Sequence, residues 1–377
     1  MILTQKRSRY IIAALLLLST FAATYTPGAA AASIPYTEVI TAPAIAGYPD
    51  SIASTGDSIT RGFNTGSFPF TDAPANSWST GTNATVLSHY SRILPDHPPI
   101  NGRTFNDAVT GAQMVDLNGQ VQNAVSQGAA YVTILLGAND ACTDTEAQMT
   151  PVSTYRAQFQ VAMNTLAAGL PDSRIYILSV PNIYNLWFIL KDDSSARSTW
   201  SLFGICQSML ANPLSTAQED VDRRNRVRQR VIDYNTQLAE VCATNIHCHF
   251  DNNAAFNTNF VPSDVSTRDY FHPSIAGQAK IADISYNASF NFREGVTPSS
   301  VAMVSPGGSS YIVTITAQDN VGVSGIEYKI GTGPYTRYTA PVNLQSGSTL
   351  TYRAVDVNGN VEPARTLSVT NRVVTKR

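Results

Sequence analysis

The amino-acid sequence predicts an α/β protein with a parallel sheet, followed by a small all-β domain. Between residues 51 and 286, short β-branched runs alternate with segments of helical periodicity, which is the pattern of a parallel sheet covered by helices. One run, residues 131–136, is apolar without alternation, as expected for a strand buried on both faces. Beyond Pro298 the helical periodicity ends, and short alternating strands separated by Gly, Asn and Asp predict a β-sandwich.

Each element of the first domain has a local signal. The predicted strands cover residues 51–55, 103–109, 131–136, 174–180 and 246–250. A helix is predicted from Thr150-Pro151, where a capping residue precedes Pro at the first helical position, and another from the capping-box-like residues 216–219. The second of these carries an arginine row, which we interpret as a solvated face. A last helix is predicted over residues 274–286.

Two segments of the first domain lack a clear period. Residues 33–48 are rich in Pro and Ala and predict an extended lead-in, and residues 182–213 form an insertion crowded with aromatic side chains. In the second domain the predicted strands are 311–317, 326–330, 336–338, 350–355 and 366–369.

The N-terminus has the pattern of a secretory signal. Lys6, Arg7 and Arg9 precede an apolar stretch, residues 10–23, that is too short for a comfortable membrane span, and small residues follow at 30–32. We predict a signal peptide at 1–32, a first domain at 33–296 and a β-domain at 297–377, in a secreted, extracellular protein with no stable membrane span after cleavage. An uncleaved anchor is the alternative. A net charge of −2 gives no nucleic-acid-binding footprint.

The four cysteines, Cys142, Cys206, Cys242 and Cys248, favour two disulfides in an exported protein. Three pairings are available. Pairing Cys242 with Cys248 would close a short local loop, and this leaves Cys142 with Cys206. A zinc site at Cys248 is an alternative, because histidines flank it on both sides, but no further ligand cluster is visible in the sequence.

Ser58 is the candidate nucleophile, because it follows the first predicted strand in Gly56-Asp57-Ser58. A serine needs a base, and His272 precedes the last helix with Asp269 three residues before it. In a tight turn, the Asp269 carboxylate can accept the ring Nδ1–H and leave Nε2 free for the serine proton. The alternative for each residue is an ordinary turn.

Acyl transfer also needs donors for the oxyanion. The backbone N–H groups of Ser58 and Gly111 and the side-chain amide of Asn139 are candidates. With Asp269 and His272, these residues follow the first, second, third and fifth predicted strands. In a parallel sheet all of them would gather along one edge.

Four blocks of the sequence resemble the SGNH, or GDSL-type, hydrolases, in that family's order. They are Gly56-Asp57-Ser58-Ile59-Thr60, Gly111, Gly137-Ala138-Asn139-Asp140 and Asp269-Tyr270-Phe271-His272-Pro273. The resemblance spans residues 51–286. It implies a flavodoxin-like three-layer sandwich and an ester hydrolase without metal or cofactor. Ser58 would be the nucleophile, His272 the base and Asp269 its orienter. Ser58, Gly111 and Asn139 would form the oxyanion hole.

Two details resemble the phospholipase B-like branch of that family: Trp78-Ser79-Thr80-Gly81, and Cys142 shortly after Asn139. They favour lipid or phospholipid esters, with the aromatic insertion as a lid or acyl groove; a secondary core is the alternative. The expected substrate contacts are Trp78, Tyr184, Trp187 and Phe188. The last domain resembles an Ig-like module of exported bacterial enzymes, which could contact a polysaccharide or a cell surface.

Two other functions stay open at this point, whereas a third class of protein is disfavoured. An α/β-hydrolase would need G-x-S-x-G, and the glycines around Ser58 do not match it. A carbohydrate acetyl esterase of the same family fits the four blocks equally well. A secreted binding protein without activity is the other open function, and covalent labelling by a fluorophosphonate would exclude it.

Overall fold

The computed structural model describes residues 36–370, and a five-stranded parallel sheet forms the centre of its first part. The strands up to residue 250 are β1 Tyr36–Ile40, β2 Ile52–Gly56, β3 Thr104–Asn106, β4 Tyr131–Leu135, β5 Arg174–Ile177 and β6 Cys248–Phe250. The sheet order is β3-β2-β4-β5-β6, and every neighbouring pair is parallel. Since β2 is the first strand of this sheet along the chain, the order is that of the flavodoxin-like folds, as the sequence predicts.

Ten α-helices accompany this sheet within the described residues. They are α1 His89–Ile93, α2 Leu117–Gln127, α3 Ala138–Ala141, α4 Val152–Gly169, α5 Ile183–Leu190, α6 Ser194–Leu202, α7 Gln207–Leu210, α8 Gln218–Cys242, α9 Ala254–Asn257 and α10 Ile275–Asn287. α4 packs between α2 and α8, and α1 contacts α10 through the hydrogen bond of His89 Nε2 with Ser285 Oγ, 2.7 Å. The sheet and these helices share one apolar core, in which all five residues of β2 and of β4 are buried.

The second part consists of two antiparallel sheets. Its strands are β7 Ser299–Gly307, β8 Ser310–Gln318, β9 Val323–Ile330, β10 Thr336–Arg337, β11 Val342–Gln345, β12 Thr349–Asp356 and β13 Arg365–Val369. One sheet has the order β11-β8-β7 and the other β1-β13-β12-β9-β10. Val313 and Leu344 of the first sheet share a buried core with Tyr352 and Leu367 of the second, so the two sheets form a β-sandwich. An Ig-like relationship stays a prediction.

The lead-in at residues 36–40 differs from its prediction. It forms β1, which pairs antiparallel with β13, from Tyr36 opposite Val369 to Ile40 opposite Arg365. These residues therefore belong to the β-sandwich, although the sequence assigns them to the first domain. The boundary predicted between residues 296 and 297 lies between α10 and β7. The predicted signal peptide lies outside the described residues.

The insertion at 182–213 is helical, and the arginine row of α8 holds it in place. Arg223 donates to the carbonyls of Ser208, 2.6 Å, and Ala211, 2.5 Å, at the end of α7. Arg224 is buried, with its guanidinium 4.5 Å from the ring centre of Trp187. The interpretation of this row as a solvated face holds for Arg226 and Arg228, which are exposed. It is wrong for the buried Arg224 and for Arg223, whose guanidinium satisfies free carbonyls at a helix C-terminus.

Two disulfides connect the chain, Cys142 with Cys206 and Cys242 with Cys248. The first joins the end of α3 to the start of α7, and the second joins the end of α8 to the start of β6. Cys248 is thereby engaged in a disulfide rather than left as a thiolate ligand. Between residues 36 and 370, no helix has both the length and the apolar character that crossing a bilayer requires.

Candidate active site

The turn after β2 places Ser58 at the carboxyl edge of the sheet. Gly56 has φ +145°, and a Cβ there would lie 2.3 Å from the carbonyl oxygen of Leu135, so glycine is required. Gln120 of α2 accepts from the Gly56 N–H, 2.7 Å, and donates to its carbonyl, 2.9 Å. This buried amide fixes the strand end in position. Sequence reasoning did not identify Gln120.

Three of the predicted residues form a hydrogen-bonded row. Ser58 Oγ lies 2.7 Å from His272 Nε2, and His272 Nδ1 lies 2.6 Å from Asp269 Oδ2. Asp269 Oδ1 accepts from the backbone N–H groups of Phe271 and His272, both at 3.0 Å. The loop thus folds around its own carboxylate, and Tyr270 at φ +55° makes the tight turn.

Asn64 completes the surroundings of this carboxylate, although no pattern in the sequence indicates this role. Its Nδ2 donates to Asp269 Oδ2, 2.5 Å, while its Oδ1 accepts from the Phe70 N–H, 2.5 Å. The Phe70 bond sets the amide orientation, because only the oxygen can accept it. Burial alone would raise the pKa of Asp269, but the hydrogen bond and charge of His272 outweigh burial, and the pKa is lowered.

Two of the three candidate oxyanion donors follow β3 and β4: Gly111 lies in the loop after β3, and Asn139 lies in the first turn of α3, where the loop after β4 ends. Gly111 is exposed at φ +85°, a conformation that favours glycine. Asn139 donates one amide hydrogen to the carbonyl of Ala112, 2.9 Å, and its backbone carbonyl accepts from Gln113, 3.1 Å. These bonds join the two loops. A carboxamide has two N–H groups, so the bond to Ala112 leaves one for another acceptor.

Two cavities adjoin this row. The first is a cleft of about 300 Å³. It is lined by the disulfide of Cys142 with Cys206 and by Phe63, Phe70, Asn139, Phe203, Ile205, Asp269, Phe271 and His272. A smaller apolar cavity of about 70 Å³ includes Ile59, Ile183, Leu186, Phe260 and Phe271. Phe271 lines both. A third cavity, about 410 Å³, lies away from Ser58, between α4 and the β9–β10 hairpin. We take the first two cavities as the candidate substrate space because they lie beside the hydrogen-bonded row, although the third is larger.

None of the four predicted substrate contacts lines the two cavities beside Ser58. Trp78 is fully buried and donates to Thr60 Oγ1, 3.2 Å, so it belongs to the core. Tyr184 and Trp187 lie on the face of α5 that packs against α8, and Phe188 is exposed. The aromatic side chains that do line the cleft are Phe63, Phe70, Phe203 and Phe271. Their signal in the sequence is position: Phe63 follows Ser58 closely, and Phe271 precedes His272.

Two buried carboxyl groups lie next to the row, and burial raises the pKa of each to about 6. Asp57 accepts from the Ile59 N–H, 2.9 Å, and its Oδ2 has no partner among the described residues. Asp140 accepts from the Met114 N–H, 2.9 Å. The charge of Asp140 adds to the effect of burial on Asp57 and raises its pKa further. Both serve as acceptors for backbone N–H groups in turns of the site.

A serine, a histidine and an aspartate in a hydrogen-bonded row at the edge of a parallel sheet are the arrangement of a serine hydrolase. The model of the GDSL-like lipase/acylhydrolase family matches residues 55–280, and the chain belongs to this family. The matched span contains Ser58, Gly111, Asn139, Asp269 and His272. No curated protein matches the chain significantly.

Several solved structures resemble this chain. A catalytic mutant of an acetylxylan esterase from Geobacillus stearothermophilus is 16% identical, with a TM-score of 0.40, over 65% of this chain and 95% of that one. An extracellular lipase from Streptomyces rimosus is 18% identical, with a TM-score of 0.40, over 63% of this chain and 99% of that one. A GDSL-like lipase from Parabacteroides merdae is 16% identical, with a TM-score of 0.37, over 66% of this chain and 97% of that one.

Proposed function

We propose that the protein is an exported serine esterase that hydrolyses carboxylic esters of lipids or phospholipids. The observation that carries this proposal is the row Ser58–His272–Asp269 at the wall of an aromatic cleft. A serine hydroxyl bonded to an oriented imidazole is the requirement for nucleophilic acyl transfer.

The proposed reaction has two steps. His272 Nε2 takes the Ser58 hydroxyl proton as Oγ attacks the ester carbonyl, and Asp269 stabilises the imidazolium that forms. The N–H groups of Ser58 and Gly111 and the free amide hydrogen of Asn139 bind the oxyanion. His272 then gives its proton to the leaving alcohol, which departs and leaves an acyl-enzyme. Water repeats the sequence, with His272 again as base, and releases the acid.

The preference for lipid esters is supported by the lining of the cleft. Phe63, Phe70, Phe203 and Ile205 present apolar surface within the cavity that His272 and Asn139 share. An acyl chain leaving water for such a surface gains about 0.8 kcal/mol per buried CH₂ group. An acetyl group would use almost none of this surface.

Export is supported by two features of the chain. The first 32 residues have the pattern of a secretory signal, and all four cysteines are paired in disulfides. Disulfides persist in oxidising compartments outside the cytosol. N-terminal sequencing of the protein recovered from culture medium would test this; a chain that starts at Met1 inside the cell would contradict it.

The proposal is tested with p-nitrophenyl esters from acetyl to palmitoyl. We expect kcat/KM to rise with acyl length and to vanish in Ser58→Ala, whereas Ser126→Ala, on the exposed face of α2, should retain it. A fluorophosphonate should phosphonylate the Ser58 peptide, with release of HF, in the wild type and in Ser126→Ala, but should not label Ser58→Ala. Rates confined to acetyl would favour the carbohydrate acetyl esterase, and activity in Ser58→Ala would identify a different nucleophile.

A further inference from the structure

Two segments at the mouth of the cleft carry large hydrophobic side chains that are exposed. In the loop after Phe63, Phe68 is 74% and Phe70 51% exposed; at the C-terminal end of α6, Leu202 is 77% and Phe203 56% exposed. The rings of Phe70 and Phe203 are 5.5 Å apart. We name these four side chains the apolar rim. Exposed apolar side chains grouped around an opening indicate an interaction surface, whereas single ones do not.

The two segments that carry the apolar rim contain no charged side chain. Residues 62–71 and 198–207 contain no Asp, Glu, Lys or Arg. Charged side chains resist transfer out of water far more strongly than any other groups. These two segments therefore bring no charge of their own into an apolar phase; a charged neighbour of the first, Arg268, is bonded to its carbonyls.

Backbone polar groups at the tip of the loop that carries Phe68 and Phe70 also have hydrogen-bond partners within the protein. Arg268 donates to the carbonyls of Phe68, 2.6 Å, and Ser67, 3.3 Å. The hydroxyl of Thr71 donates to the Phe68 carbonyl as well, 2.9 Å, and Asn64 Oδ1 accepts from the Phe70 N–H. Backbone groups without partners cost several kcal/mol in a lipid phase, and these bonds reduce that cost at the loop tip.

We propose that the apolar rim inserts into the surface of a lipid aggregate and that acyl chains pass from there to Ser58. The occupant follows from the continuity of the rim with the cleft: Phe70 and Phe203 belong to both. A chain moving from the aggregate into the cleft stays in contact with apolar side chains throughout. This inference rests on the proposed esterase function and specifies its substrate as aggregated rather than dissolved ester.

The test compares a rim variant with a matched surface variant. Phe68→Ser/Leu202→Ser removes the two most exposed rim residues, neither of which lines the described cleft. Val301→Ser/Met303→Ser removes side chains that are 60% and 59% exposed on β7 of the sandwich. Binding to phosphatidylcholine vesicles is measured by co-sedimentation, and kcat/KM is measured on dissolved p-nitrophenyl acetate and on a long-chain ester below and above its aggregation threshold.

We expect the rim variant to bind vesicles at least about tenfold more weakly, since it loses two apolar side chains that would leave water on insertion. It should lose the rise in rate above the aggregation threshold and keep its activity on the dissolved acetate. The β7 variant should match the wild type in every assay.

Three results would overturn the inference: no vesicle binding by the wild type, equal losses in the two variants, or a rim variant impaired only in binding to insoluble polysaccharide. A different result would reject the proposed function. If no ester is hydrolysed while vesicle binding still depends on the rim, the esterase assignment is rejected and the docking surface is retained.

Discussion

Replacing Asn64 should separate the positioning of the Asp269 carboxylate from the shape of the loop. Asn64 combines a bond to Asp269 Oδ2, 2.5 Å, with a left-handed backbone at φ +61°. Asn64→Ala removes the bond and strains the backbone. Asn64→Gly removes the same bond without strain, because glycine adopts positive φ freely. The difference in stability between the two variants therefore gives the cost of the left-handed backbone conformation for alanine.

The magnitudes follow from these contacts. A hydrogen bond to a charged group contributes roughly 1.5–3 kcal/mol, and the left-handed conformation costs an alanine roughly 1–2 kcal/mol more. If the whole bond energy serves to hold the carboxylate on His272 in the transition state, kcat falls by roughly 10- to 150-fold in both variants. A larger loss is not expected, because Asp269 keeps its bonds to the N–H groups of Phe271 and His272.

Asn253 provides a matched control. Its φ is +65°, and its side chain makes no hydrogen bond within the part of the chain that the structure describes. Asn253→Ala should be destabilised only by the cost of the left-handed backbone for alanine, and it should keep full kcat. The assays are urea unfolding and kcat on a saturating p-nitrophenyl ester at pH 8. If Asn64→Gly keeps kcat within about twofold of the wild type, Asn64 is a turn residue and its positioning role is refuted.

Three further predictions concern the oxyanion, a buried acid and a disulfide. Asn139→Ala should lower kcat roughly 100- to 1,000-fold at unchanged melting temperature, and a loss below about tenfold would contradict its assignment. The Asp57 pKa is raised from 3.8 to about 6, so its contribution to stability is present below pH 4 and is lost as pH rises through 6. Asp57→Asn should thus be more stable than the wild type by up to about 3 kcal/mol at pH 8 and gain nothing at pH 4, by urea unfolding; a gain independent of pH would refute the cause. The double serine variant of Cys142 and Cys206 removes a link across 64 residues and should cost about 4 kcal/mol, against about 2 kcal/mol for the other disulfide, whose separation is 6; equal costs would contradict the loop-entropy reasoning.

The gathering of the candidate site could be predicted because it depends on topology alone. Ser58 and His272 are 214 residues apart, and no local pattern joins them. Their meeting follows from the parallel sheet, whose strands all end at one edge. The strand periodicity and the four sequence blocks therefore suffice to place both residues.

The supporting groups could not be predicted, because their roles depend on tertiary contacts. Gln120 and Asn64 are ordinary polar residues in the sequence, and they matter only through a strand end and a carboxylate that the fold brings near them. Helix α5 shows the same limit for apolar residues. Its sequence, IYNLWFIL, is hydrophobic on almost every side, so periodicity does not reveal which face meets the cavity. The structure turns Ile183 and Leu186 toward the cavity and Trp187 toward α8.

The pairing of β1 with β13 has a consequence for how the chain matures. Ile40 faces Arg365, so a strand made at the start of synthesis gains its partner only when the last part of the chain emerges. At roughly 5–20 residues per second, that delay is on the order of a minute or less. During this interval β1 is an unpaired edge with exposed Val39 and Ile40, a template for association between nascent chains. A truncated enzyme ending before β7 would keep that edge permanently unpaired.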